Sequence, residues 1–319
     1  MIRIPTGFGK TAGVVLAWLH HRVENGNETW PRRLVFCLPM RVLVEQSERT
    51  IKTWLTNSDR QADVGLHVLM GGVRAQRWVE RPELPAILIG TQDMLLSRAL
   101  NRGYATGRAN WPMEFGLLHQ DALWVLDEVQ LMDVGLATSA QLAAFREADR
   151  AKRFGALRPA HTWWMSATLQ PRWLRTVDRS EPTEPALSIP AGQRKGGLFD
   201  INKKLVRASD IRGAANIAAY ARTHHAPNTL TLVVVNTVAT ALDVYDALAE
   251  EFSEGSAKAK RRHPNAPALE LVHSRFRGLE RTQWAAKFLH RDAPMPEGGR
   301  IIVATQVVEA GVDISAATL

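Results

Sequence analysis

Pro5-Thr-Gly-Phe-Gly-Lys-Thr11, preceded by the short apolar run Ile2 to Ile4 and followed by a helically spaced stretch from Ala12, is where the fold is decided. Strand, glycine turn and helix in that order make a cradle for phosphate. Gly7 and Gly9 lack a Cβ and let backbone N–H groups approach an anion, and the helix N-terminus adds a favourable field. The Lys10 ammonium suits the β- and γ-phosphates of a nucleotide, and the Thr11 hydroxyl suits the oxygen shell of a magnesium ion. The loop departs from the general spacing G-x-x-x-x-G-K-[ST], because Ile4 stands where the first glycine would fall.

Working outward, short β-branched runs recur at residues 33–38, 86–89, 122–126, 162–165, 230–235, 269–272 and 301–304. They read as buried parallel strands. Residues 12–22, 42–55, 137–153, 239–252 and 278–290 carry apolar side chains at helical spacing. This alternation predicts an α/β fold with crossover helices on both faces of mostly parallel sheets and ligands beyond the carboxyl ends of the strands. Between residues 179 and 228 the pattern weakens, with Pro182, Pro185, Pro190, Gly192, Gly196 and Gly197 interrupting it. The expected organisation is a first lobe over residues 1–180, a connection over 181–228 and a second, partial lobe over 229–319. Residues 102–120, with Gly103, Gly107, Trp111 and Pro112, read as a loop insertion, and Lys258 to His263 as an exposed basic turn.

The run Leu123 to Leu126 leads into Asp127-Glu-Val-Gln130. Two adjacent acids at the end of a buried strand belong on the loop edge of the sheet. There Asp127 can hold magnesium, and Glu128 can orient and deprotonate an attacking water. With the phosphate loop, this pair predicts a nucleotide hydrolase.

Composition is compatible with that reading. The 319 residues, 45% hydrophobic and 23% charged, describe a soluble globular chain of about two domains. Forty Lys and Arg against 32 Asp and Glu give a net charge of +8, which suits a polyanionic partner. The single cysteine, Cys37, rules out an intrachain disulfide and a Cys-rich zinc site, and a reducing cytoplasm is the expected location. No run is long and apolar enough to span a bilayer, so no membrane partner is expected. Trp124, Trp163 and Trp164 fall in or beside strands and read as core; Trp111 is the exposed stacking candidate.

Further segments resemble superfamily 2 helicases. Leu38 to Gln46, LPMRVLVEQ, is similar to a helicase segment that contacts nucleic-acid backbone, which the resemblance assigns to Pro39 and Arg41. Gly71 with Gly72, and Ile89 to Leu95 as IGTQDML, resemble two later contact loops, with Thr91, Gln92 and Asp93 at a strand end. Ser166-Ala167-Thr168 is the triplet that in this superfamily connects hydrolysis to movement. Asn236 and Ser274 sit at strand ends of the second lobe. Thr305 to Asp313, TQVVEAGVD, resembles the segment in which Thr305 faces nucleic acid and Gly311 and Asp313 face nucleotide. The resemblance implies two RecA-like P-loop NTPase lobes, the second incomplete. It implies ATP and Mg2+ as cofactors, with Thr6, Gly7, Phe8, Gly9, Lys10 and Thr11 around the nucleotide, Thr11 and Asp127 at the metal, and Lys10, Glu128 and Gln130 in catalysis.

Within the superfamily, PTGFGKT, PMRVLVEQ, IGTQDMLLSRAL and DEVQLM resemble the helicase part of the type I CRISPR-associated helicase-nuclease, closest to its U-type variant. That family translocates on single-stranded DNA, is recruited by a crRNA-guided surveillance complex and feeds the strand to an HD-type nuclease. Gln130 stands where many relatives carry histidine; an amide can still donate and accept in a coupling network. The chain reads as a fragment, without the upstream adenine-reading glutamine element, the downstream arginine-finger element or a His-Asp nuclease dipeptide. ATP binding is therefore expected to exceed turnover. Two alternatives stand beside this reading: a superfamily 2 translocase of a restriction-modification or repair enzyme, and a nucleic-acid-binding module without chemistry.

Overall fold

The computed structural model describes all residues except 73–77, 151, 153–157, 183–185, 197–198, 201–203, 209–210, 255–260, 263–265, 274, 277–282, 285–286, 291, 309–311 and 313. Two compact units divide the chain, Met1–Asn202 and Lys203–Leu319. Among the described residues no helix is long and apolar enough to cross a membrane.

The first unit is built on a six-stranded, all-parallel sheet. Its strands are β1 (Ile2–Arg3), β2 (Arg33–Leu38), β3 (Gly65–Leu69), β4 (Ala86–Thr91), β5 (Ala122–Leu126) and β6 (His161–Ser166), in the spatial order β1-β6-β5-β2-β4-β3. In β2, all six residues are buried between β4 and β5. Its side chains alternate between two cores: Val35 and Cys37 join Leu88, Trp124 and Leu126 on one face, and Leu34 and Phe36 join Ile87, Ile89 and Val125 on the other. A strand covered on both faces needs such continuous apolar character. Arg33 at its start is buried yet donates to the carbonyls of Leu117, Pro82 and Gln120 at 3.0, 3.2 and 2.8 Å. Burial pushes the Cys37 thiol above its ordinary range, consistent with a small apolar role.

Helices α1 (Lys10–Trp18), α2 (Arg41–Asn57), α3 (Gln92–Ala99), α4 (Trp111–His119) and α5 (Val134–Arg150) complete this unit, and α1 continues into a π-helical turn over Leu19–Glu24. The loop insertion expected over residues 102–120 is corrected, because it contains α4. Pro112 sits in the first turn of that helix, where its missing N–H has no intrahelical partner to lose. Strand β3 and helix α3 were not expected as elements. Trp111 is half-buried, with the Arg102 and Arg108 guanidiniums 5.8 and 6.0 Å from its ring centre.

The second unit contains α6 (Ala214–His224), β7 (Leu230–Val235), α7 (Val238–Glu251), the antiparallel pair β8 (Ser253–Glu254) and β9 (Arg261–Arg262), β10 (Ala268–Val272) and β11 (Arg300–Thr305). A parallel sheet runs β10-β11-β7. α6 arises within the Pro- and Gly-interrupted stretch and packs with α7 over Ile301 and Val303. The helix expected over residues 278–290, and the basic turn at 258–263, fall largely outside the described residues.

Candidate nucleotide and nucleic-acid site

Because the first sheet is wholly parallel, the carboxyl ends of its strands open on one edge, and that edge collects the candidate residues. The loop after β1 turns through Gly7 and Gly9 at φ +86° and +72°, left-handed conformations that glycine adopts at little cost. Gly9 precedes α1, so Lys10 and Thr11 open that helix. Phe8 is fixed from the side by Phe199, with ring centres 4.2 Å apart.

Lys10 is buried, with its ammonium 2.6 Å from Glu128 Oε1 and 3.3 Å from Asp127 Oδ1. The Thr11 hydroxyl donates to Asp127 Oδ2 at 3.1 Å. Asp127 extends the sheet by one bond, its N–H meeting the Cys37 carbonyl at 3.1 Å, and its Oδ1 accepts from the Glu128 N–H at 2.9 Å. Glu128 then adopts φ +52°, uncommon for a residue with a Cβ. Burial raises the Asp127 carboxyl above its ordinary range, opposed by the Lys10 ammonium and reinforced by Glu128. A cation held by the Thr11 and Asp127 oxygens would favour the ionised carboxylate, and two hard oxygen donors on one spot fit magnesium.

From Glu128 the contacts run on across the edge. Gln130 donates through Nε2 to Glu128 Oε2 at 2.6 Å and accepts at Oε1 from the Ser166 hydroxyl at 2.7 Å. Ser166 Oγ in turn accepts from the Thr168 N–H at 3.0 Å. The phosphate loop, the acidic turn after β5 and the Ser166-Ala167-Thr168 turn after β6 are thus joined by side chains; Ala167 between them is half-buried.

The nucleic-acid candidates lie along the same edge but without that network. Pro39 is half-buried after β2, and Arg41 is exposed at the start of α2 with its guanidinium beside exposed Gly72. Thr91 ends β4 and is buried, while Gln92 and exposed Asp93 begin α3. In the second unit, Asn236 is exposed after β7 and Thr305 ends β11, buried. Ser274, Gly311 and Asp313 lie outside the described residues. Thr6 is exposed at the mouth of the phosphate loop.

Sequence reading missed one residue of this edge. A Cβ on Gly135, at the start of α5, would collide with Gln92 Oε1 and lie 3.0 Å from Gln92 Cδ. Gly135 therefore makes room for the Gln92 side chain beneath α5. Its signal in the sequence is only a glycine inside helical spacing, which marks a close approach without saying to what.

A RecA-like sheet whose phosphate loop, acidic turn and Ser-Ala-Thr turn share one edge defines the P-loop motors of the helicase kind. Residues 1–177 match the family model described as DEAD/DEAH box helicase, and the chain belongs to that family. Residues 227–319 match a second model, CRISPR-associated nuclease/helicase Cas3, C-terminal. The resemblance read from the motifs is thereby confirmed. No curated protein matches the chain.

Solved structures with the same fold include Cas3 of T. fusca with ATP, at 20% identity and TM-score 0.60, covering 99% of this chain and 39% of that one. The DUF1998 helicase MrfA bound to DNA and AMPPNP is 16% identical with TM-score 0.58, covering 98% and 40%. Dbp5 of S. cerevisiae, bound to Gle1 and IP6, is 17% identical with TM-score 0.53, covering 99% and 67%. The chain thus spans about two fifths of the Cas3 and MrfA chains.

Proposed function

We propose that this chain is the ATP-binding and strand-gripping part of an ATP-dependent translocase that moves on single-stranded DNA in CRISPR interference, recruited by a crRNA-guided complex. The two family models support this, and the continuous contact from Lys10 through Glu128, Gln130 and Ser166 to Thr168 carries it. Arriving phosphates compete with the two carboxylates for the Lys10 ammonium. As Lys10 turns to the phosphates, Glu128 is released to take a proton from water, and Thr11 with Asp127 would hold magnesium. Magnesium would supply neutralisation of charge on the transferred phosphoryl group. Every change at Glu128 reaches Gln130, and through it the Ser166 turn, which couples hydrolysis to the grip on DNA.

Gln130→Ala tests the reading, because it cuts that contact without touching the phosphate loop. ATP affinity should stay within about twofold, while stimulation of turnover by single-stranded DNA falls roughly tenfold or more, as for loss of an interaction made only in the reacting state. Equal stimulation in both proteins rejects coupling through this residue.

A further inference from the structure

We infer that the first unit also holds a pocket for an unstacked nucleobase, on the flank of the sheet beside β3. The inference rests on the nucleic-acid reading above and adds to it a place where a base, rather than the backbone, is recognised. A cavity of about 470 Å³ lies among the carboxyl end of β3, helix α3 and the segment leading into α4, with Met70, Trp78, Met94, Arg98, Met113 and Glu114 in its walls. That volume falls in the range of small-molecule sites, and thioethers with an indole make adaptable, flat-sided walls.

Its polar groups are few and unusual. Arg98 Nε lies 3.3 Å from Glu114 Oε2, and the two side chains are 3% and 6% exposed. Neither of these atoms, nor the Trp78 indole nitrogen, has a hydrogen-bond partner among the described residues. Buried donors and acceptors left unmade are costly, so a ligand that pairs with them is favoured. The ion pair carries no net charge, which disfavours an ion as the occupant. A neutral ring with an N–H beside a carbonyl fits: its carbonyl accepts from Trp78 or Arg98, and its N–H donates to Glu114. That is the lactam edge of thymine or guanine.

The surroundings supply the other half of a nucleotide. Exposed Gly71 and Gly72 follow Met70 directly, and the Arg41 guanidinium nitrogens lie 3.7 and 3.9 Å from where a Cβ of Gly72 would stand. Exposed Arg102 and Arg108 flank Trp111, in the segment whose Thr106 and Asn110 line the cavity. Cations outside and a neutral hydrogen-bonding cleft within match phosphate outside and base inside.

The experiment uses a fluorescein-labelled oligothymidine carrying one 5-iodouracil, which photo-crosslinks to aromatic and sulfur side chains. Anisotropy reports total binding, and peptide mapping reports where the base lies. Crosslinks are expected in residues 78–80 or 105–114. Trp78→Phe, which removes the N–H and keeps a ring, should lower their yield about fivefold, the worth of one neutral hydrogen bond. Met113→Trp, at a half-exposed position, should block them by filling the cavity. Normal oligothymidine affinity with crosslinks only elsewhere, or yields unchanged in both variants, overturns the pocket and leaves the motor reading standing. No binding of the oligonucleotide at all overturns both.

Discussion

The carboxyl edges of the two sheets carry their polar residues in different ways. On the first, Lys10, Asp127, Glu128, Gln130, Ser166 and Thr168 satisfy one another within a few ångströms, although they come from three strand ends. On the second, Thr237 caps α7 by accepting from the Thr240 N–H at 3.1 Å, and Asn236 beside it faces solvent. Among the described residues, no chain of side-chain hydrogen bonds links the ends of β7, β10 and β11. The contrast teaches that the nucleotide chemistry is preset inside one unit, whereas the second presents separate groups for an outside ligand.

Substitutions can break that contrast. The largest effect is expected from Lys10→Ala, which strips the charge from the phosphate loop and leaves two neighbouring carboxylates buried without their cation. Turnover of ATP should fall by roughly 10²–10³-fold, the scale for removing one group that stabilises developing charge, as read by phosphate release. Activity within a few fold of the parent would show that the first edge is not the hydrolytic one.

Gly135→Ala comes next. The added methyl displaces Gln92, and the overpacking should cost about 1–3 kcal/mol in a denaturant melt, with single-stranded DNA binding weakened severalfold and ATP affinity kept. A melt unchanged from the parent would mean that Gln92 has another place to go. Asn236→Ala, on the second edge, should do least: ATP affinity unchanged and DNA affinity reduced about twofold, within the range of single exposed contacts. A tenfold loss of ATP affinity there would erase the distinction between the edges.

Much of the first edge was legible because its residues are tied to local pattern. A glycine turn between strand and helix, and an acidic pair after five buried residues, can be placed without knowing the fold. What could not be read were contacts across sequence: the Gln130–Ser166 bond joins positions 36 apart, and no spacing rule announces it. Helix α3 was hidden for another reason. Met94, Leu95, Leu96, Arg98 and Ala99 are all buried, so the segment lacks the polar face that reveals a surface helix. β3 is short, and Gly65 and His67 dilute its apolar run. In α4 and α6 the proline and glycine signals were real, but they marked the starts of helices rather than their absence.

The strand beneath the phosphate loop has a consequence for synthesis. β1 is two residues long and is held by partners far along the chain: Ile2 pairs with Met165, and Arg3 donates to the Leu187 carbonyl while Leu187 donates to that of Met1. The first segment to leave a ribosome therefore has no sheet to join until residues beyond 160 have followed it. At 5–20 residues per second that interval is about 10–30 s. Over that time β2, β3, β4 and β5 can assemble among themselves, and the loop that will grip ATP waits as an unpaired end, exposed to whatever holds nascent chains.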